Sequence, residues 1–465
     1  MVKKSETRHL MYCICIHRRL VQSVAGVILI GGLLARAEAA ATVRLTGDWK
    51  VEIGVPSVAS AGAQPKLFVS TVVIPPAERV SVKAEEYPML PLFNPNAAGW
   101  TKGTPLRGLK AQECTTPNLL EPASLEVYAG PEDGAQRFER GRDYEADLVW
   151  GTIGRLTGGR IAENQPVYVS YIHGLLRIDA VVLTGDGVIA VRRGEPRSAA
   201  PVAPTLLAGE RLLATIWLPG RLSRLQPANL FPVLESAYPE LPKLEPCPAE
   251  RFLPQTMRKL RQGERLRILA WGDSVTDGSY LPVAARDRWQ AQFVSRLAQR
   301  FPHAKIDLTT EAWGGRNTAS YLAEPSGSGH NYGEKVLGTH PDLVISEFVN
   351  DAGLNPERVE QRYSRFLADF KQIGAEWIIL TPHYVRPDWM GLDRERDIDD
   401  DPRPYVAGLR QFAARHDLAL ADAAQRYGRL WRQGIPYSAL MLNSINHPDP
   451  RGLAIFADSL MALFP

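Results

Sequence analysis

From Leu266 to the C-terminus, short apolar runs alternate with helical patterns, and this alternation constrains the fold more than any other feature of the chain. Arg267-Ile268-Leu269-Ala270-Trp271, Ile306-Asp307-Leu308, Asp342 to Phe348, Trp377-Ile378-Ile379-Leu380 and Leu418-Ala419-Leu420-Ala421 read as strands. Between them, Trp289, Phe293, Leu297 and Phe301 recur every fourth residue and make one apolar helix face. A second helix is punctuated by Asn355 as its cap, Pro356 at its first position and Gly374 at its end, with Val359, Tyr363, Phe366, Phe370 and Ile373 on its buried side. Apolar strands too short for helices, each followed by a helix, predict a parallel sheet covered on both faces. Such sheets place their sites at the carboxyl ends of the strands.

Gly272-Asp273-Ser274-Val275 sits at such an end. A serine leaving a parallel strand presents its hydroxyl at the sheet edge, beside the backbone N–H groups of the next turn. One peptide then supplies both a nucleophile and an oxyanion donor, as acyl transfer needs. Alone it is a common turn composition. Three later segments fit the same chemistry in order: Gly314-Gly315-Arg316-Asn317, Phe348-Val349-Asn350-Asp351 and Asn446-His447-Pro448.

Together the four segments resemble the blocks of the SGNH, or GDSL, hydrolases, a family of esterases and lipases. The resemblance covers residues 264–465, and Gly-Arg-Asn-Thr-Ala-Ser-Tyr in the second block looks most like the rhamnogalacturonan acetylesterase branch. It implies a flavodoxin-like three-layer α/β fold. It implies catalytic roles for Ser274 as nucleophile, His447 as base, and Gly315 and Asn350 as oxyanion donors with the Ser274 amide. Gly314 is the alternative to Gly315, and His383, after the fourth strand, competes with His447. Asp273 is expected to brace the turn.

Two departures stand out. The family's aspartate three residues before the histidine is replaced by Ser444, with Asn443 one position earlier; these two are the candidate orienting partners, and neither is a carboxylate. A Ser-His dyad and a triad with an acid from elsewhere both remain open. In the third block, Phe348 replaces the glycine that usually stands two before the asparagine.

The rest of the chain is organised differently. Residues 1–39 read as a signal peptide: a basic stretch ending in Arg18-Arg19, an apolar run from Val24 to Leu34, and Ala37-Glu38-Ala39. The expected localisation is periplasmic or secreted, with no stable membrane span once the signal is cleaved. Those residues hold six basic side chains against two acidic ones, so the formal +3 of the chain leaves the remainder at −1. A nearly neutral body has no electrostatic footprint for nucleic acid. Residues 42–232 read as a β-rich accessory domain, with a hairpin signal at Thr184-Gly185-Asp186-Gly187 and strands over Val167–Tyr171 and Ala214–Leu218. Residues 233–263, with prolines at 239, 242, 246, 248 and 254, read as an extended linker.

Cys114 and Cys247 could form a disulfide in an exported protein or remain buried thiols. No spacing suggests a metal, and no organic cofactor is expected. Arg316, Tyr384, Arg386 and Trp389 could line a cleft, and the acid-rich stretch Asp393–Asp401 reads as an exposed insertion. The expected function is an exported serine esterase acting on an ester of a small molecule or polysaccharide, an O-acetyl group on a carbohydrate foremost. The alternatives are a lipase- or thioesterase-like hydrolase, or a non-catalytic carbohydrate-binding or structural protein on the same fold.

Overall fold

The computed structural model describes residues 40–56, 67–242 and 245–465. The proposed signal peptide lies outside the described residues. Five strands form one parallel sheet: Arg265–Gly272, Lys305–Ala312, Leu343–Glu347, Glu376–Leu380 and Ala419–Ala421. Their spatial order is second, first, third, fourth, fifth. The direction of winding therefore reverses at the first strand, whose neighbours are the second and the third. This is the point where an open α/β sheet splays its loops apart and leaves a crevice.

The helices cover the sheet for the reason the pattern gives. Trp289–Arg300 buries Trp289, Phe293 and Leu297 completely. Pro356–Gln372 starts at Asn355, whose side chain accepts the Arg358 amide, and ends before Gly374 at φ +72°. It buries Val359, Tyr363, Phe366 and Phe370. The last helix, Pro450–Met461, is capped by Asp449, which accepts the Arg451 and Gly452 amides. The two faces bury separate apolar clusters. One is built on Trp289, Phe293, Leu453 and Phe456. The other is built on Trp271, Phe348, Phe366 and Trp377. Phe348 thus fills the core beneath the third block, where the family's usual glycine would leave a gap.

The region before residue 232 is antiparallel throughout its named strands. Leu176–Leu183 pairs with Ile189–Arg192 across the expected hairpin and with Arg211–Pro219 on its other side. Val167–Gly174 pairs with Arg79–Tyr87 and Glu126–Tyr128. A short two-stranded hairpin, Lys110–Ala111 with Cys114–Thr115, turns through Gln112 and Glu113 alone. Ala39–Pro465 makes one compact unit. Trp217 and Phe231 of the antiparallel part share a buried cluster with Trp431 and Ala439.

Two expectations need correction. The proline-dense stretch is not wholly extended: Pro248–Phe252 and Pro254–Gln262 are helices. Each begins at its proline, where the missing N–H costs nothing. The acid-rich stretch is exposed at Asp393, Asp397, Asp399 and Asp400, as expected, but not at Glu395 and Asp401. Glu395 is partly buried and accepts from Trp217 Nε1 (3.2 Å) and Ser438 Oγ (2.6 Å). Asp401 pairs with buried Arg403, and Arg396 donates to the Pro227 carbonyl at 3.1 Å. The stretch fastens the antiparallel region to the parallel sheet. Cys114 and Cys247 are both free and buried, and burial pushes the Cys114 thiol up to about 12.

Candidate active site

Ser274 opens the short helix Ser274–Asp277 that follows the first parallel strand. The preceding Gly272 is required by crowding, since a Cβ there would lie 2.1 Å from Thr276 Oγ1 and 2.4 Å from the Glu347 carbonyl. Asp273, not Ser274, caps the helix. Its Oδ1 accepts the Val275 amide at 3.1 Å and its Oδ2 accepts the Asn350 amide at 2.9 Å. The Asp273 carboxylate thus ties the first block to the third. Burial pushes the carboxyls of Asp273 and neighbouring Glu347 upward, and the proximity of the two adds to the rise at Glu347. Neither is a group with free access to substrate.

With capping done by Asp273, the Ser274 hydroxyl is left to His447. Ser274 Oγ and His447 Nε2 stand 3.2 Å apart. The imidazole is further held by Tyr280, stacked on its face with ring centres 4.3 Å apart and planes 7° from parallel. The histidine loop closes on itself, with the Leu442 amide donating to the His447 carbonyl at 2.8 Å. His383 is completely buried, and neither of its ring nitrogens has a hydrogen-bond partner among the described residues. Burial lowers its proton affinity well below the usual histidine value.

The expected oxyanion donors meet at the same point. Asn350 Nδ2 is buried and has no partner among the described residues. Gly315 adopts φ +71°, a conformation strained for any residue with a Cβ, and nothing lies within 4 Å of where that Cβ would be. A Cβ added at Gly314 would lie 3.7 Å from that of Ser274, an ordinary contact. The Ser274 amide is among the N–H groups that a helix start leaves without an intrahelical partner. The loops carrying these groups are tied to one another by hydrogen bonds. Thr318 Oγ1, at the start of the helix after the second block, donates to Asp351 at 2.7 Å, and Tyr363 donates to the same carboxylate at 3.2 Å.

Ser274, His447, Gly314, Gly315 and Asn350 line one cleft of about 440 Å³. Its remaining walls are Gln112, Glu113, Asp277, Ser279, Tyr280 and Asn446, with no aliphatic side chain among them. Beyond it lies an aromatic group. Trp389 is half exposed, its ring 6.0 Å from that of Trp100, and the Arg386 guanidinium lies over both Trp150 and Trp389. The Arg386 amide donates to the Ile445 carbonyl, two residues before His447. Arg316 instead lies over Trp313, and Tyr384 is buried in the core.

The far side of the imidazole departs from the sequence reading. Neither the Asn443 nor the Ser444 side chain hydrogen-bonds the ring. Asn443 Oδ1 accepts the amides of Ile445, Asn446 and His447 at 2.9–3.0 Å, bracing the loop. Ser444, at φ +56°, has its hydroxyl 2.9 Å from that of Thr116. The groups at His447 Nδ1 are Gln112 Oε1 at 2.8 Å and Glu113 Oε1 at 3.1 Å. Both come from the tip of the hairpin in the β-rich region. The only sequence signal for them was the vacancy at position 444.

Residues 270–455 match the GDSL-like Lipase/Acylhydrolase family. This stretch is a GDSL-like hydrolase domain. No curated protein matches the chain. Among solved structures, similarity extends to a two-domain esterase (CEX) active on acetylated mannans, at 18% identity and a TM-score of 0.37, covering 45% of this chain and 51% of that one. The chain thus spans about half the length of that esterase. LAE5, an alpha/beta hydrolase from the metagenome of Lake Arreo, Spain, is 21% identical with a TM-score of 0.34, covering 43% of this chain and 94% of that one. TesA is 19% identical with a TM-score of 0.32, covering 42% and 95%. Among the described residues no helix is long and apolar enough to cross a membrane, and no cluster of three or more His, Cys, Asp or Glu residues could hold a metal.

Proposed function

We propose that this GDSL-like hydrolase is an exported serine esterase that removes a short acyl group, acetyl foremost, from a carbohydrate. The observation that carries the esterase reading is Ser274 Oγ within 3.2 Å of His447 Nε2, in a cleft that also holds the Asn350 side-chain amide, unpartnered among the described residues. Ser274 Oγ attacks the ester carbonyl carbon while His447 Nε2 takes its proton. The carbonyl oxygen becomes an oxyanion, held by Asn350 Nδ2 and the Gly315 and Ser274 amides. Collapse of the tetrahedral species breaks the bond to the alkoxy oxygen, which leaves as the alcohol with the proton from His447. Water, deprotonated by the same histidine, then attacks the acyl-enzyme carbonyl, and a second collapse frees the carboxylic acid and restores Ser274.

The cleft walls support the short acyl group. A long acyl chain gains by burying methylenes against apolar surface, at about 0.8 kcal/mol each. The wall of Gln112, Glu113, Asp277, Ser279 and Asn446, with Tyr280 its one large ring besides His447, carries no aliphatic side chain and suits hydroxyl-rich substrates. The half-exposed Trp389 beside Arg386 gives a flat apolar face with a cation near it, a surface on which the C–H face of a sugar ring can lie. Export rests on the N-terminal leader pattern.

A p-nitrophenyl ester series from acetate to palmitate tests the reading. Turnover highest for acetate and falling steeply beyond butyrate is expected. A maximum at long chains makes the protein a lipase or thioesterase, and no turnover of any ester makes it a binding module.

A further inference from the structure

We propose that Glu113, presented by the hairpin Lys110–Thr115, is the positioning acid for His447, so that the β-rich region completes the catalytic machinery. The proposal rests on the serine esterase reading. A histidine base works only when one tautomer is held, with Nδ1 protonated and Nε2 free to accept the serine proton. The acceptor on Nδ1 fixes that tautomer, and a carboxylate also stabilises the imidazolium that forms during attack. Nothing in the histidine loop supplies one, because position 444 is serine and position 443 is asparagine.

The hairpin tip fills that place with two acceptors. Gln112 Oε1 lies 2.8 Å and Glu113 Oε1 3.1 Å from Nδ1. The Nδ1 hydrogen bond goes to Gln112, and Glu113, at ion-pair distance from the same nitrogen, brings the charge. Asn443 sets the carboxylate in register with the loop. Its Nδ2 donates to Glu113 Oε1 at 2.7 Å, while its Oδ1 holds three amides of the histidine loop, His447's own included. The asparagine one position before the missing aspartate thus recruits the carboxylate from another part of the chain. The turn is built for this at some cost, because Gln112 sits at φ +54° with neither glycine nor asparagine to ease it. The hairpin is anchored behind the tip, where Cys114 Sγ donates to the Asn443 carbonyl at 2.9 Å. Partial burial pushes the Glu113 carboxyl up, but the bond and charge of His447, with the Asn443 amide, outweigh it and hold the carboxyl below its usual range.

Replacing the orienting aspartate of a serine protease by asparagine costs about four orders of magnitude. The Glu113 side chain is 44% exposed, and Gln112 still accepts from Nδ1 when the carboxylate is gone. The expected loss is therefore smaller. In the full-length protein, Glu113→Gln should lower kcat for p-nitrophenyl acetate roughly a hundredfold, with KM within about twofold and the melting temperature unchanged. The acid limb of its kcat/KM profile should move to lower pH, because the imidazolium has lost its counter-charge. Glu113→Asp should recover part of the activity. Labelling of Ser274 by a fluorophosphonate, followed by mass spectrometry, should slow in parallel and needs no ester substrate. Ser274→Ala, assayed alongside, separates the failures. If Ser274→Ala is inactive and unlabelled but Glu113→Gln keeps kcat, labelling rate and acid limb within threefold of the parent, the acid assignment is overturned and the esterase reading stands. If Ser274→Ala itself hydrolyses ester, the esterase reading falls first.

Discussion

The parallel sheet and the β-rich region contribute to one cleft by opposite means. In the sheet, the chemistry is mostly local: Ser274, Gly315 and Asn350 each lie within a few positions of a strand end, the strand order brings those ends together, and His447 joins them from the loop before the last helix. Ser274 follows the first strand and Asn350 the third, neighbours across the point where the winding reverses. In the β-rich region, Gln112 and Glu113 are set by nothing local except the turn that exposes them. They reach His447 because Trp217, Thr215 and Phe231 are packed against the C-terminal segments and Glu395 locks that packing. A site built from strand ends is written as motifs. A site built from a docked hairpin is written only in the packing.

The sheet's contribution should show the largest effect. Ser274→Ala should lower kcat for p-nitrophenyl acetate by more than about three orders of magnitude, with the melting temperature nearly unchanged, since Asp273 and not Ser274 caps the helix. His447→Ala should match it. His383→Ala should act chiefly on stability, because that ring is buried and does not line the cleft. Activity lost with His383→Ala and kept with His447→Ala would move the base to the fourth strand and undo the comparison.

Asn350→Ala should come next, lowering kcat about a hundredfold with little change in KM. Its Nδ2 has no partner among the described residues to lose, and a donor that acts only on the oxyanion is worth on the order of 3 kcal/mol. A change confined to KM would make Asn350 a substrate-binding group.

Legibility followed the same division. The strand runs, the helix faces and the glycine-serine block could be read because each is a periodicity or a local turn preference. Ser274, Gly315, Asn350 and His447 were expected at the positions where the cleft has them. Glu113 could not be read, since Gln-Glu carries no turn signal and its partner loop lies at the other end of the sequence. Asp393–Asp401 is only partly legible for a related reason. Charge density suggests solvent, yet Glu395 is satisfied by an indole and a serine that only tertiary structure brings to it. The prolines at 248 and 254 were read as breakers although each starts a helix.

Asn443→Ala tests the joint between the two regions and should cost less than either catalytic donor. It removes the amide that holds Glu113 and the oxygen that accepts three loop amides, so kcat should fall roughly tenfold and the melting temperature should drop as well. Ser444→Ala, whose hydroxyl faces Thr116, should leave kcat within about twofold. Equal, large losses for both would return the orienting role to the histidine loop.

The smallest effect belongs to the surface that neither region builds alone. Trp100 comes from the β-rich part and Trp389 from the sheet's fourth crossover, with Arg386 beneath Trp389 and bonded to the histidine loop. Trp389 is half exposed and outside the lining of the cleft, so p-nitrophenyl acetate should not reach it. An acetylated oligosaccharide held by its neighbouring sugars should. Trp389→Ala is therefore expected to raise KM for an acetylated oligosaccharide about three- to tenfold, the range that one aromatic contact worth roughly 0.5–1.5 kcal/mol allows. Its kcat on that substrate, and both constants on p-nitrophenyl acetate, should stay within twofold. The contrast between the two substrates carries the test. An equal loss on both would show that Trp389 supports the loop carrying His447, and no change on either would remove the carbohydrate from the proposed substrate while leaving the ester chemistry intact.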